Sequence, residues 1–227
     1  MFVRRSLTVF ALALSVSRCA DQPTAVQQAP APRFLQWAGN APPQFSARTS
    51  RPNRARTAAY LTPPLGLDNY VVSFWAVRGE SRSVQINYSS SLAGGNQPFL
   101  LLTTTDPQFV PGVGELAMGD SVLLTVRVDT TKIGVSLEPT GLQFGAPAEL
   151  TVWYGGAGGD LNGDGVADST DVALEANVLG LWYREGQADS WTNLPAMQSL
   201  EGKSFTYAIP HFSEYAIAEL MDWAVSW

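Results

Sequence analysis

Three places in this 227-residue chain hold residue types and spacings that could do chemistry. The first is the run DLNGDGVADSTD, where Asp160, Asn162, Asp164, Asp168 and Asp171 stand at positions 1, 3, 5, 9 and 12 and Gly165 at position 6. Alternating oxygen side chains along a tightly coiled loop can point at one centre, and a glycine at position 6 permits the sharp turn. Val166, at position 7, would add its backbone carbonyl. A hard cation taking six to eight oxygens suits this donor set, so calcium is the expected cofactor, held by Asp160, Asn162, Asp164, Val166, Asp168 and Asp171. The alternative is an acidic, solvated loop without metal. The second place is the single histidine, His211, two residues before Ser213. On a strand these face the same way, so the imidazole can reach the hydroxyl and take its proton. The third is the single cysteine, Cys19, which directly follows a short basic and apolar segment.

One Cys and one His exclude a disulfide scaffold, a Cys/His zinc site and a two-histidine metal centre. The net charge of −6 argues against binding nucleic acid by phosphate neutralisation. Charge is unevenly spread: eight of the 14 basic residues lie in the first 56 positions beside one acid, Asp21, leaving 6 bases against 19 acids in the rest. Conventional hydrolase chemistry fares poorly, because a Ser-His-Asp triad must use His211 and no Gly-x-Ser-x-Gly turn presents a serine.

The elements that must position these residues read as follows. Residues 1–19 form an export signal, with Arg4 and Arg5 before an apolar stretch from Leu7 to Val16, too short to span a bilayer permanently. Residues 20–57 are rich in Pro and Arg without helical or alternating pattern, and read as a disordered linker. Phe34, Leu35 and Trp37 are the residues in it able to dock on a domain. Residues 58–220 carry about nine short runs rich in Val, Ile, Thr and aromatics, from YVVSFWAVRG at Tyr70 to SEYAIAE. Alternation is clearest where Val122, Leu124, Val126 and Val128 face one way and Leu123, Thr125 and Arg127 the other. The expected fold is all-β, an antiparallel β-sandwich, with a closed barrel as the alternative. The loop at 160–171 interrupts one hairpin, and a short helix at Val172 to Asn177 follows, with Ser169 available as N-cap. Residues 221–227 are a tail.

DLNGDGVADSTD resembles an EF-hand loop and, ending in Asp before a short helix, the calcium loop of dockerin modules. Dockerins bind their partner with a duplicated loop pair; this chain has one loop, and Ala167 stands where a bulky aliphatic would pair. The implied role is therefore structural: calcium would neutralise four aspartates and rigidify a long connection. Cys19 resembles the lipidated cysteine of bacterial lipoproteins, although Arg18 occupies the position that signal reserves for a small residue. The implied localisation is the cell envelope, with membrane attachment through the lipid.

The phrases VSLEPTGLQFGAPAELTVWY, LGLWYREGQADSWTNLP and IPHFSEYAIAE resemble the ZU-five β-sandwich of zonula occludens proteins, ankyrins and netrin receptors, over about Ser121 to Glu219. The resemblance implies an interaction and linkage module. A subset of that family cuts itself at His-Phe-Ser. Carried here, His211 would be the general base, Ser213 the nucleophile at the Phe212 carbonyl, and the bond Phe212–Ser213 the one broken. The alternative is a strand entrance in which Phe212 and Tyr215 pack and His211 caps the turn after Pro210. A glycan partner is a further possibility, since Trp153, Trp182 and Trp191 could stack on sugar rings, as is an unidentified protein partner. Asn87-Tyr88-Ser89 is a glycosylation sequon.

Overall fold

A computed structural model describes residues 31–51, 60–61, 65–89 and 97–220. In chain order the strands are β1 (Phe45–Arg51), β2 (Tyr60–Leu61), β3 (Leu65–Gly66), β4 (Val71–Val77), β5 (Ser81–Tyr88), β6 (Pro98–Thr105), β7 (Pro107–Val110), β8 (Gly114–Glu115), β9 (Ser121–Val128), β10 (Gly134–Glu138) and β11 (Gln143–Trp153). Helix α1 (Ser169–Asn177) comes next, then β12 (Leu179–Arg184), β13 (Thr192–Leu194), β14 (Met197–Ser199), β15 (Ser204–His211) and β16 (Glu214–Glu219). All nine runs read from the sequence are strands: β4, β5, β6, β9, β10, β11, β12, β15 and β16.

The strands form two separate antiparallel sheets, a sandwich and not a barrel. One sheet runs β14-β15-β11-β6-β5-β1-β2, with β3 paired to β1 and β7 to both β11 and β8; the other runs β13-β12-β16-β10-β9-β4. Alternate side chains of each sheet enter one apolar layer, with Ile86, Leu102 and Leu150 from the first and Leu124, Leu137 and Ile217 from the second, all fully buried. On β9, Leu124, Val126 and Val128 are buried while Leu123 and Arg127 are exposed, as their alternation predicts.

The structure corrects the linker. Within 20–57, residues Arg33 to Trp37 lie against the second sheet, and Phe45–Arg51 is β1, paired with β5. The Leu35 amide donates to the Ile217 carbonyl (2.9 Å), the Ile133 amide to the Leu35 carbonyl (2.8 Å), and the Glu219 amide to the Arg33 carbonyl (2.9 Å). Trp37 is buried against Phe45 and Phe99, and its indole N–H donates to the Asp129 carbonyl at 2.9 Å. Pro and Arg content argued for chain entropy, but Leu35, Trp37, Phe45 and Ala47 bury enough surface to offset it. The sandwich therefore begins before residue 58. The export signal, Cys19 and the tail at 221–227 lie outside the described residues.

Two smaller expectations also change. Asn87 is buried between strands and its side-chain oxygen accepts from Gln85, so the folded chain does not present the sequon. The loop at 160–171 does not interrupt a hairpin, because β11 and β12 belong to different sheets. The connection instead carries the chain across one end of the sandwich.

Trp37→Ala should lower the unfolding free energy by about 3–5 kcal/mol, the cost of emptying an aromatic core site, measured by urea denaturation. A change within the surface range of about 0.5 kcal/mol would contradict the docking of this segment.

Candidate metal loop and the His-Phe-Ser crossing

The loop is built from side chains that serve backbone amides. Asp160 Oδ1 accepts from the amides of Gly163 (2.7 Å) and Asp164 (3.2 Å), and its Oδ2 from Gly165 (2.9 Å). Asn162 Oδ1 accepts from the Asp164 amide at 2.8 Å, and Asp164 Oδ1 from the Val166 amide at 2.9 Å. Asp and Asn at alternate positions are the residues whose short side chains can reach the amides just ahead of them. Gly165 has φ +91°, a left-handed conformation that a Cβ would strain.

Asp171 closes the ring. Its Oδ1 accepts from the amides of Leu161 (2.7 Å) and Asn162 (3.0 Å), and its Oδ2 from Asp168 (2.9 Å), so one buried carboxylate ties the start of the loop to its end. The amides of Asp168, Asn162 and Leu161 outweigh desolvation and hold this carboxyl below the ordinary carboxylate range. Helix α1 starts here with a capping box, but its N-cap is Asp168 and not Ser169. Asp168 has extended φ and ψ, and its side chain accepts from the Thr170 amide at 2.7 Å, whereas Ser169 is already helical.

Two contacts that the sequence reading missed fasten the loop to the sandwich. The Arg33 guanidinium donates to the carbonyls of Leu161 (3.3 Å) and Asn162 and pairs with Glu219 at 3.1 Å. The glycine run before the loop lets aromatic rings approach its backbone: a Cβ on Gly156 would stand 2.8 Å from the Tyr88 hydroxyl and 2.9 Å from the Trp37 ring. Nothing in the local spacing of Arg33 signals the first contact, since its partners lie about 130 residues away.

In chemistry the donor set fits calcium, because a carboxylate oxygen that accepts one amide keeps a second lone pair for a cation. In geometry, no three Asp, Glu, His or Cys side chains among the described residues gather closely enough to hold one ion. The acidic loop without metal is thus already hydrogen-bonded to itself.

At the other candidate, Phe212 and Ser213 carry the chain from β15 in one sheet to β16 in the other, and both are buried. His211 and Ser213 do not meet. Each bonds the Glu185 carboxylate: His211 Nε2 stands 3.2 Å from Oε1, and the Ser213 hydroxyl donates to Oε2 at 3.1 Å. The Phe212 carbonyl accepts from the Gly141 amide at 2.8 Å, and the Ser213 carbonyl from the Leu137 amide at 3.0 Å. Phe212 packs on Phe144, and the Tyr215 hydroxyl donates back to the His211 carbonyl at 2.9 Å. The two side chains reach one carboxylate, as i and i+2 residues facing the same way can, but β15 ends at His211 and Glu185 stands where a direct bond between them was expected. Glu185, in the turn after β12, had no motif to mark it.

Of the three tryptophans considered for sugar stacking, Trp182 is buried and Trp153 and Trp191 are partly covered. Trp191 is held by Phe34 at 4.8 Å between ring centres and by the Arg184 guanidinium 4.8 Å above its ring.

Asp168→Ala should cost about 1 kcal/mol through loss of the helix cap, measured by urea denaturation. Because Asp171 titrates below its unfolded value, its contribution is full above the unfolded value of about 4 and is lost as pH falls through the lower folded value. In chelator, the Leu161 and Asn162 amides should therefore lose hydrogen-exchange protection in acid, and Asp171→Asn should remove that pH dependence. Protection unchanged by acid would contradict the closing role of this carboxylate. No protein-family model matches this chain, nor does any curated protein or solved structure.

Proposed function

We propose that this chain is an exported, lipid-anchored, non-catalytic β-sandwich that scaffolds interactions at the cell envelope and uses calcium as a structural clip. The observation that carries the metal part is the loop's order of donors. Oxygen side chains stand at positions 1, 3, 5, 9 and 12, with Gly165 in a left-handed turn at position 6. Asp160, Asn162, Asp164, Asp168, Asp171 and the Val166 carbonyl would hold the ion. It would supply neutralisation of four aspartates and a fixed path between the two sheets. Export and anchoring rest on the sequence of residues 1–19 alone. An antiparallel sandwich agrees with a ZU-five relative and equally with many unrelated sandwiches, so fold alone assigns no family.

Calorimetric titration of the full chain with calcium chloride should give about one ion per chain, with a dissociation constant of order 10⁻⁴–10⁻³ M. Melting temperature should fall when chelator is added. Absence of both heat and a melting shift would reject the metal.

A second reading is self-processing between Phe212 and Ser213, favoured by the Ser213 hydroxyl on the Glu185 carboxylate and the Phe212 carbonyl on the Gly141 amide. Glu185, in place of His211, would take the hydroxyl proton as Oγ attacks the Phe212 carbonyl. The peptide nitrogen would leave protonated, giving an ester that water then splits. Intact mass under denaturing conditions tests it. A fragment starting at Ser213, absent in Ser213→Ala and Glu185→Gln, would support cleavage, and a single full-length species would reject it.

A further inference from the structure

Among the described residues, Trp75 is the most exposed tryptophan, and the loop and the crossing leave it unused. Trp75 lies on β4, an edge strand of the six-stranded sheet, with 54% of its surface open, directly opposite Leu123, which is 46% exposed. Aromatic side chains of this size normally bury most of their surface, so an indole held open on a rigid strand is a stacking platform. Of its neighbours on the same face, Ser73 bears a hydroxyl and Val77 is apolar, with the hydroxyl of Ser121 across the strand from it. Ser73 and Thr125 form one cross-strand pair, their oxygens 2.9 Å apart, and Ser121 stands opposite Val77 in the next. A cleft of about 350 Å³ runs from this face around the strand edge to Thr49, Ser50 and Arg82. That volume lies at the lower end of small-ligand sites, about 300–1,000 Å³.

The chemistry of the walls selects the occupant. Arg82, the charged residue lining the cleft, is paired with Glu80 at nitrogen to oxygen distances of 3.2 and 2.6 Å, so its charge is balanced next to the cleft. The chain as a whole is acidic, which disfavours phosphate-bearing ligands. A protein partner needs roughly 800 Å² of complementary surface, and here the open apolar surface is Trp75 and Leu123, with Val77 half-buried beside them and the hydroxyls of Ser73, Thr125 and Ser121 at their margins. A ring with an apolar face and a hydroxyl rim satisfies both features at once.

We infer that the Trp75 cleft binds a neutral saccharide chain, with one sugar ring stacked on the indole and its hydroxyls on Ser73, Ser121 and the Arg82–Glu80 pair. This site is independent of the calcium loop and of the Phe212–Ser213 crossing, both of which lie elsewhere on the sandwich.

Native affinity electrophoresis of the full chain through gels containing laminarin, arabinoxylan, galactomannan or hydroxyethylcellulose tests the inference. At least one polysaccharide should retard the wild type. Trp75→Ala should weaken that retardation by about tenfold or more, Trp75→Phe by less, and Trp191→Ala should leave it unchanged. In the wild type, the same polysaccharide should shift the Trp75 indole N–H resonance ahead of those of Trp153 and Trp191, a readout that needs no folded variant. No retardation in any of the four gels, or retardation and indole shifts that do not depend on Trp75, would overturn the site. A dimer on size-exclusion chromatography that Trp75→Ala dissociates would assign the face to a second copy and overturn it equally.

Discussion

Ile86, Leu102 and Leu150 from one sheet and Leu124, Leu137 and Ile217 from the other share a single apolar layer from which water is excluded. Every other feature of the molecule depends on that layer. Burying one such side chain is worth about 1.5–3 kcal/mol, and its cost falls on the connections, which must carry polar backbone from sheet to sheet without leaving amides unpaired. The three segments of greatest interest are answers to that demand. The 155–168 connection pairs its amides with aspartates, the Phe212–Ser213 crossing pairs its carbonyls with Gly141 and Leu137, and Arg33 to Trp37 fill the end of the second sheet.

The acidic character of the chain takes on a different meaning in this light. Asp160, Asp164, Asp168 and Asp171 each accept from backbone amides, so their charge is already partly met without a cation. A metal and an amide cage want the same alternating oxygens, which is why one sequence can read as both. Elsewhere the acids pair in small networks. Glu214 bonds Arg184 at 2.7 Å and Lys132 at 3.4 Å, while Asp129 also holds Lys132. Burial pushes the Asp129 carboxyl up, but the hydrogen bonds of Lys132 and Thr131 outweigh it and leave the group below its ordinary range. Lys132 and Arg184 also cover the rings of Phe34 and Trp191, which sheathes the outer face of the second sheet where Phe34 meets β16.

How much was legible follows from the range of each interaction. The alternating β9 and the runs of β4, β5 and β6 were readable because a strand with one buried face imposes period two on its own residues. The loop's spacing was readable for the same reason: Asp160 and Gly165 act on partners within a few positions. Strand β1 was not readable. FSARTSR buries Phe45, Ala47 and Ser50 but carries no run of β-formers, and its place is set by β5, some 35 residues later. The helix cap lies at Asp168, one position before Ser169, since both qualify by type and only φ distinguishes them.

Residue types and their spacing along the chain suffice for the fold class, the two-faced strands, the donor order of the loop and the separation of a basic start from an acidic body. These depend on residue type and on neighbours within about one turn or one strand. That Trp37 is core and Trp75 surface, that Asn87 is enclosed, and that Glu185 bonds both His211 and Ser213 emerges from long-range packing. Those outcomes depend on which strands become neighbours across the sandwich. Burial of the shared apolar layer settles that choice over the whole chain at once, so no local pattern carries it.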